Sequence, residues 1–257
     1  MKPYYETPLG KLYHGDCLEI MPGLDTVDLV LTDPPYGVTQ NKWDTVIPFK
    51  DMWSALDLIT NDKTAIVMTA TNPFAADLIC SNSKMFRYDM VWRKVGKATG
   101  FLNANRMPLR NHELILVFYK ILPKYNPQKT KGNPNNPKFA KGSHSRGRKM
   151  TNNNYGMFNQ DHQSEPTTDK FPLSVQDFPA VHPPVHPTEK PIKLFEWLIK
   201  TYTDKNEIVL DFCIGSGTTA IACERLKRKW IGIEIEEKYC EIAAKRIEQE
   251  RKQLKLF

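Results

Sequence analysis

Leu210-Asp211-Phe212-Cys213-Ile214-Gly215-Ser216-Gly217-Thr218-Thr219 reads as an apolar strand that runs into a glycine turn and then into a helix. Gly215 and Gly217 allow backbone to approach a ligand closely. Glu234, at the end of the next strand, stands where a carboxylate can accept from ribose hydroxyls. That is the pattern of a nucleoside-cofactor site, although a purely structural glycine turn competes with it when the motif is taken alone. With Ala220 the stretch also satisfies the loose dinucleotide fingerprint. Only 40 residues follow Gly217, too few for the second half of a dinucleotide-binding sheet. The remaining strands must come from upstream, which predicts a permuted sheet with the cofactor strand late in sequence and central in space.

Upstream, short apolar and β-branched runs alternate with helical spacing. Strands are expected near Leu12–His14, Val27–Thr32, Ala65–Thr69, Tyr88–Trp92 and Leu114–Tyr119, joined later by Ile208–Asp211 and Trp230–Ile235. Helices are expected over Phe49–Thr60, Pro73–Ser81, Pro191–Tyr202, Thr218–Lys227 and Glu236–Lys252. Pro191 suits a first helical turn, with Ile192, Phe195, Ile199 and Tyr202 forming one stripe behind it. Seven strands alternating with helices predict a doubly wound α/β sheet covered on both faces. From Ile121 to Val185 the rhythm fails, and Asn, Pro, Lys and Gly dominate; a loop of that length inside a domain is usually functional or disordered.

Thr32-Asp33-Pro34-Pro35-Tyr36-Gly37 directly follows the expected strand Val27–Leu31. Two consecutive prolines fix φ and remove donors, so the chain leaves the strand as a rigid, extended turn with free carbonyls. Asp33 and the Pro34 carbonyl can then accept both hydrogens of a planar amino group, while Tyr36 offers a face for a stacked base. A polyproline turn with a packed tyrosine is the bland alternative.

Charge points to a partner. The 257-residue chain carries a net +7, but Arg93 to Met150 holds fourteen Lys or Arg against one acid, Glu113, and is +13 by itself, leaving the rest at −6. An acidic body with one basic segment suits a phosphate-backbone binder, because neutralised phosphates release condensed counterions. The five cysteines lack any C-x-x-C pair, which suggests reduced thiols in a cytosol, and the first residues lack the apolar core of a secretory signal. No apolar run is long enough to span a bilayer.

Taken together, these motifs give the chain a resemblance to the amino-directed DNA methyltransferases in which Asp-Pro-Pro-Tyr precedes the glycine motif, the β-class order. His14-Gly15-Asp16-Cys17, Val27 to Tyr36, His186-Pro187-Thr188-Glu189-Lys190-Pro191, and Trp230-Ile231-Gly232-Ile233-Glu234 with Tyr239 follow the family order over nearly the whole chain. Phe212 and Cys213 after Asp211 depart from the Pro-Phe of many members. The resemblance implies a seven-stranded, Rossmann-like methyltransferase sheet, permuted, with an inserted irregular target-recognition region. It divides the chain into a target-base half (1–120), a recognition region (121–185) and an S-adenosylmethionine-binding half (186–257).

The resemblance also assigns roles. Asp33, Pro34, Pro35 and Tyr36 form the catalytic slot, and S-adenosylmethionine is the cofactor. Asp16 would hold its adenine amino group, Glu234 its ribose, and Gly215, Gly217 and Thr218 its methionine end, with Lys190 on the carboxylate; Cys17, Asp211 and Phe212 complete the cofactor-binding set. The substrate would be double-stranded DNA with a flipped target base, since an amino group inside the stack is out of reach. In the resembling families Asp at the Asp33 position accompanies adenine more often than cytosine. A cognate restriction endonuclease is a candidate companion, in a bacterial or phage-infected cytosol.

Sequence reading falls to Gly96–Asn111 and Ile121–Val185, with Arg106, Arg110, Lys124, Lys129, Lys131, Lys141, Arg146, Arg148 and Lys149 as candidates for DNA contacts. A metal site is not expected, because His112-Glu113-Leu114 lacks a second histidine four residues after the first. Two other classes stay open at this point. A protein-glutamine methyltransferase would use a similar slot, but with Asn in place of Asp33 and the glycine motif first. A DNA-binding module without catalysis would not need Asp33, Tyr36, Gly215 and Glu234 together.

Overall fold

The computed structural model describes residues 2–39, 41, 44–132, 151–152, 156–157, 169–183 and 189–254. Among them the chain forms β1 (Tyr5–Glu6), β2 (Gly10–His14), α1 (Cys17–Ile20), β3 (Val27–Thr32), α2 (Phe49–Ile59), β4 (Thr60–Ala70), α3 (Phe74–Ser81), β5 (Phe86–Val95) and β6 (His112–Phe118). There follow β7 (Thr151–Asn152), β8 (Gly156–Met157), β9 (Val175–Pro179), α4 (Ile192–Tyr202), β10 (Ile208–Asp211), α5 (Thr218–Leu226), β11 (Lys229–Glu234) and α6 (Glu237–Leu254). No helix among the described residues is long and apolar enough to cross a membrane.

One sheet runs β1-β2-β11-β10-β3-β4-β6-β5-β9. It contains all seven expected strands and adds β1 and β9 at its two edges, so it has nine strands rather than seven. The glycine-motif strand β10 lies inside it, parallel to both β11 and β3. From β3 the chain winds to β4, and from β10 it winds the other way to β11. The order therefore reverses between β3 and β10, which is where ligands enter such sheets.

Alternation along the strands, interrupted by register shifts between Val27 and Leu29 and between Phe86 and Tyr88, divides the core between two faces. Leu29, Leu31, Ala65, Val67, Ile115, Val117, Val209 and Trp230 pack with α4, α5 and α6 on one side. Val30, Ile66, Met68, Leu116, Phe118, Leu210 and Ile233 pack with α1, α2 and α3 on the other. Both faces are buried, which explains why these strands read as continuous apolar runs. Truncating one such side chain, Leu31→Ala for example, would cost about 2–5 kcal/mol.

Contacts divide the chain into two compact units, Met1–Asn126 with Leu173–Phe257, and Pro127–Pro172. The first unit claims both ends of the stretch that reads as irregular: the Asn126 N–H bonds the Thr201 carbonyl at 2.7 Å, and β9 pairs in parallel with β5. In the second unit β7 pairs with β8, Thr130 bridges to Lys170, and Lys129 Nζ sits 4.6 Å above the Phe171 ring.

Candidate active site

Strand β3 delivers Asp33 to the carboxyl end of the sheet, and β4 beside it, with Thr32 opposite Met68, delivers Thr69. Asp33 Oδ1 accepts from the Tyr36 hydroxyl at 2.5 Å and from Thr69 Oγ1 through a very short bond. Tyr36 Oη lies 3.0 Å from Thr69 Oγ1 as well. Burial, reinforced by the facing Asp33 carboxylate, pushes the Tyr36 hydroxyl well above its usual value, so it stays protonated and donates. Phe74 backs the Tyr36 ring with centroids 5.0 Å apart.

The turn after Tyr36 is fastened by Asp44, which the sequence reading did not single out. Its carboxylate accepts from the backbone N–H of Gly37 at 2.9 Å, of Val38 at 3.0 Å and of Thr39 at 2.6 Å. Burial alone would raise its pKa, but the Thr39 side chain and these three donors outweigh it and hold the carboxyl below the usual range. Gly37 takes a positive φ of 69° here, the conformation its missing Cβ permits.

Strand β10 brings the second motif alongside. Asp211 closes β10, accepting from Thr32 Oγ1 at 2.7 Å, from the Cys213 N–H at 3.1 Å and from Thr219 Oγ1 through a very short bond. Burial raises its pKa to about 7 against those hydrogen bonds. Glu234 closes β11 and accepts from the Gly215 N–H and the Glu236 N–H, each at 2.9 Å. Burial raises its pKa as well. Asp16 caps α1, with Oδ1 accepting from the Leu18 N–H at 2.8 Å. Arg246 of α6 donates to the Ser216 carbonyl at 2.8 Å and to Ser216 Oγ at 2.6 Å, and also grips Glu189, so the glycine turn is tied to the segment that carries Lys190.

Between the two motifs lies a cavity of about 420 Å³. Its lining includes Asp33, Pro34, Pro35 and Tyr36 together with Asp16, Cys17, Asp211, Phe212, Gly215, Thr218 and Glu234. The volume suits a small-molecule site, and the wall combines apolar surface with a few convergent carboxylates.

Gly217 does not line the cavity; a Cβ there, at φ +88°, would meet the Ala243 Cβ at 3.1 Å, so this glycine allows α6 to pack closely. Lys190 lines the cavity, and its Nζ bonds Asp33 Oδ2 at 2.5 Å.

The DNA candidates fall in different places. Arg106 and Arg110 are exposed on the 96–111 loop of the β5–β6 hairpin. That loop leaves the sheet at the same end as Asp33, because β6 runs antiparallel to β4 with Leu114 opposite Ala70. Lys124 is bound to Asp204 at 2.7 Å and to Glu207, just ahead of β10, at the opposite end of the strands. Lys129 and Lys131 are exposed in the second unit, and Lys141, Arg146, Arg148 and Lys149 lie outside the described residues, as do His186, Pro187 and Thr188. Part of the basic stretch is neutralised internally, Arg93 by Asp177 and Lys120 by Asp57.

The sequence profile of the DNA methylase family, N6/N4 type, matches residues 27–245. The chain belongs to the N6/N4 DNA methylase family. This DNA methylase is 29% identical to the type II methyltransferase M.BglII of Bacillus subtilis over 267 aligned positions, which cover 91% of this chain and 68% of that relative. Its fold superposes on the cytosine-N4-specific PvuII DNA methyltransferase with a TM-score of 0.69 at 18% identity, covering 95% and 88% of the two chains. The M1.HpyAVI–SAM complex matches with a TM-score of 0.60 at 24% identity, over 92% of this chain and 99% of that one. These likenesses establish the Rossmann-like methyltransferase sheet.

Proposed function

We propose that this DNA methylase is a site-specific, S-adenosylmethionine-dependent enzyme that methylates N6 of adenine in double-stranded DNA. The observation that carries the reading is the junction of Asp33 and the glycine turn on one cavity, with Asp33 already held by hydroxyl donors. A bound S-adenosylmethionine would supply a methyl group made electrophilic by its sulfonium. The donor set fits that molecule: Asp16 toward adenine, Glu234 toward ribose, and the Gly215 turn with Thr218 toward the amino-acid end. M1.HpyAVI, which shares the fold, was solved with this cofactor.

The chain's own residues do the rest by positioning and electrostatics. Asp33 and the Pro34 carbonyl accept from the target amino group, favouring a nitrogen whose lone pair points at the methyl. Tyr36, backed by Phe74, stacks on a base swung out of the duplex. The slot accepts two amino hydrogens from either base; adenine is preferred because Asp accompanies it more often in the resembling families and because a purine covers more of Tyr36.

The 96–111 loop, with Arg106 and Arg110, and the 121–185 region with Lys129, Lys131, Lys141, Arg146, Arg148 and Lys149, hold and read the duplex in this scheme. The relative's type II name supports a companion restriction endonuclease. Transfer of a labelled methyl group from S-adenosylmethionine to duplex DNA, and not to protein, tests the reading. Label in protein alone would move it to the glutamine-directed class.

A further inference from the structure

A line of four alternating charges runs into the slot. Lys94 Nζ bonds Glu113 Oε1 at 2.5 Å, Glu113 Oε2 faces Lys190 Nζ at 3.4 Å, and Lys190 Nζ bonds Asp33 Oδ2 at 2.5 Å. The Lys190 side chain is 5% exposed, Glu113 11% and Lys94 13%, so this is an interior network. Buried charges are tolerated only when paired, and here two cations meet two carboxylates, a sum of zero. The Glu113 Oε2 atom is buried and makes no hydrogen bond of good geometry; its facing charge is Lys190. Burial by itself would lower the Lys190 pKa, but Asp33 and Glu113 outweigh it, so the ammonium stays protonated. Glu113 is held below the usual carboxylate range because Lys190 and Lys94 outweigh its own burial.

The count of acceptor sites on Asp33 gives this network a role. A carboxylate offers about four lone-pair sites. Tyr36 and Thr69 take both on Oδ1, and Lys190 takes one on Oδ2. One site on Oδ2 remains for an amino hydrogen.

We propose that Lys190 is a positioning residue for the methyl transfer: anchored from behind by Glu113, it orients Asp33 and leaves one acceptor direction open, and it does not bind the cofactor carboxylate. This rests on the reading that Asp33 engages the target amino group. Lys190 has a rigid base from which to do so, since its neighbour Glu189 is gripped by Arg246 of α6.

The test compares Lys190→Met, Lys190→Arg and Asp33→Ala in the full chain, measuring S-adenosylmethionine Kd by calorimetry and the single-turnover rate of methyl transfer to duplex DNA. Misplacing a reacting group by about 1 Å is worth on the order of 10²-fold in rate. Lys190→Met should therefore lose about that much rate with Kd changed less than about twofold, and Lys190→Arg should recover a large part of it. If Lys190→Met does not fold, the double variant Lys190→Met/Glu113→Gln, which removes the two central charges together and keeps the network neutral, is read in the same way. Loss of cofactor affinity in step with rate, or an unchanged rate, would overturn the proposal. Full turnover in Asp33→Ala would instead overturn the reading beneath it.

Discussion

Thr32 Oγ1 donates to Asp211 Oδ1 at 2.7 Å, so the residue just ahead of the catalytic slot grips the residue just ahead of the glycine turn. The two are 179 positions apart in the chain. Parallel pairing of β3 with β10, with Leu29 and Val30 opposite Val209 and Leu210, brings the two side chains together. A methyl donor and a target amino group bound on either side of this bond would share one cavity.

Asp33→Ala removes an acceptor that matters mainly as charge develops on the amino nitrogen. Turnover should fall by about two to three orders of magnitude, by analogy with loss of an oxyanion-hole donor. Cofactor affinity should hardly change, because Asp33 engages the target amino group and not the cofactor in this scheme. Calorimetry showing cofactor binding lost along with activity would assign Asp33 to the wrong subsite.

The raised Asp211 pKa makes a stability prediction with a definite sign. Burial brings it to about 7, whereas an unfolded aspartate titrates at about 3.9. Between those values the native protein holds a proton that the unfolded chain has lost. The contribution of this group is thus fully present below about pH 4 and disappears as pH rises through about 7. Urea unfolding of wild type and Asp211→Asn across that window should show the wild-type advantage falling as pH rises. A difference that stayed flat across that window would mean that Asp211 is already ionised in the native protein, held by its three donors.

Asp44→Ala should loosen the turn after Tyr36, since three backbone N–H groups lose one carboxylate. Hydrogen bonds to a charged group are worth about 1.5–3 kcal/mol, so a loss of that order in unfolding free energy is expected, together with a raised KM for DNA. Unchanged stability and KM would show that the turn keeps its shape without Asp44.

Arg106→Ala and Arg110→Ala should each lower the log–log salt slope of DNA binding by about 0.9 if each contacts a phosphate. Lys124→Ala, whose charge is already spent on Asp204 and Glu207, should leave the slope alone. Neutralising several of Lys129, Lys131, Lys141, Arg146, Arg148 and Lys149 should flatten it further. The reverse pattern would put DNA at the other end of the sheet.

The central strands were legible because both of their faces are buried. Val27–Thr32 and Ile208–Asp211 match the sequence expectation residue for residue. The edge strand β9 was not, because Val-Gln-Asp-Phe-Pro alternates exposed with half-buried positions and is recruited by backbone pairing to β5. The slot residues were visible as a motif, but their supports were not. Thr69 is one more β-branched residue in an apolar strand, Asp44 caps loop N–H groups with no periodic signature, and Glu113 registered only as a failed metal motif. Which carboxylate Lys190 would meet depends on a fold that joins residues 33, 113 and 190, something spacing alone does not disclose.

The most direct test of the central claim is to incubate duplex DNA with the protein and S-adenosylmethionine, digest it to nucleosides and identify the methylated product by mass spectrometry. N6-methyladenine, formed about two to three orders of magnitude more slowly when Asp33→Ala replaces the wild type, is the result expected. N4-methylcytosine as sole product would overturn the choice of base while leaving the slot mechanism intact, and product formed equally by Asp33→Ala would contradict the account at its centre.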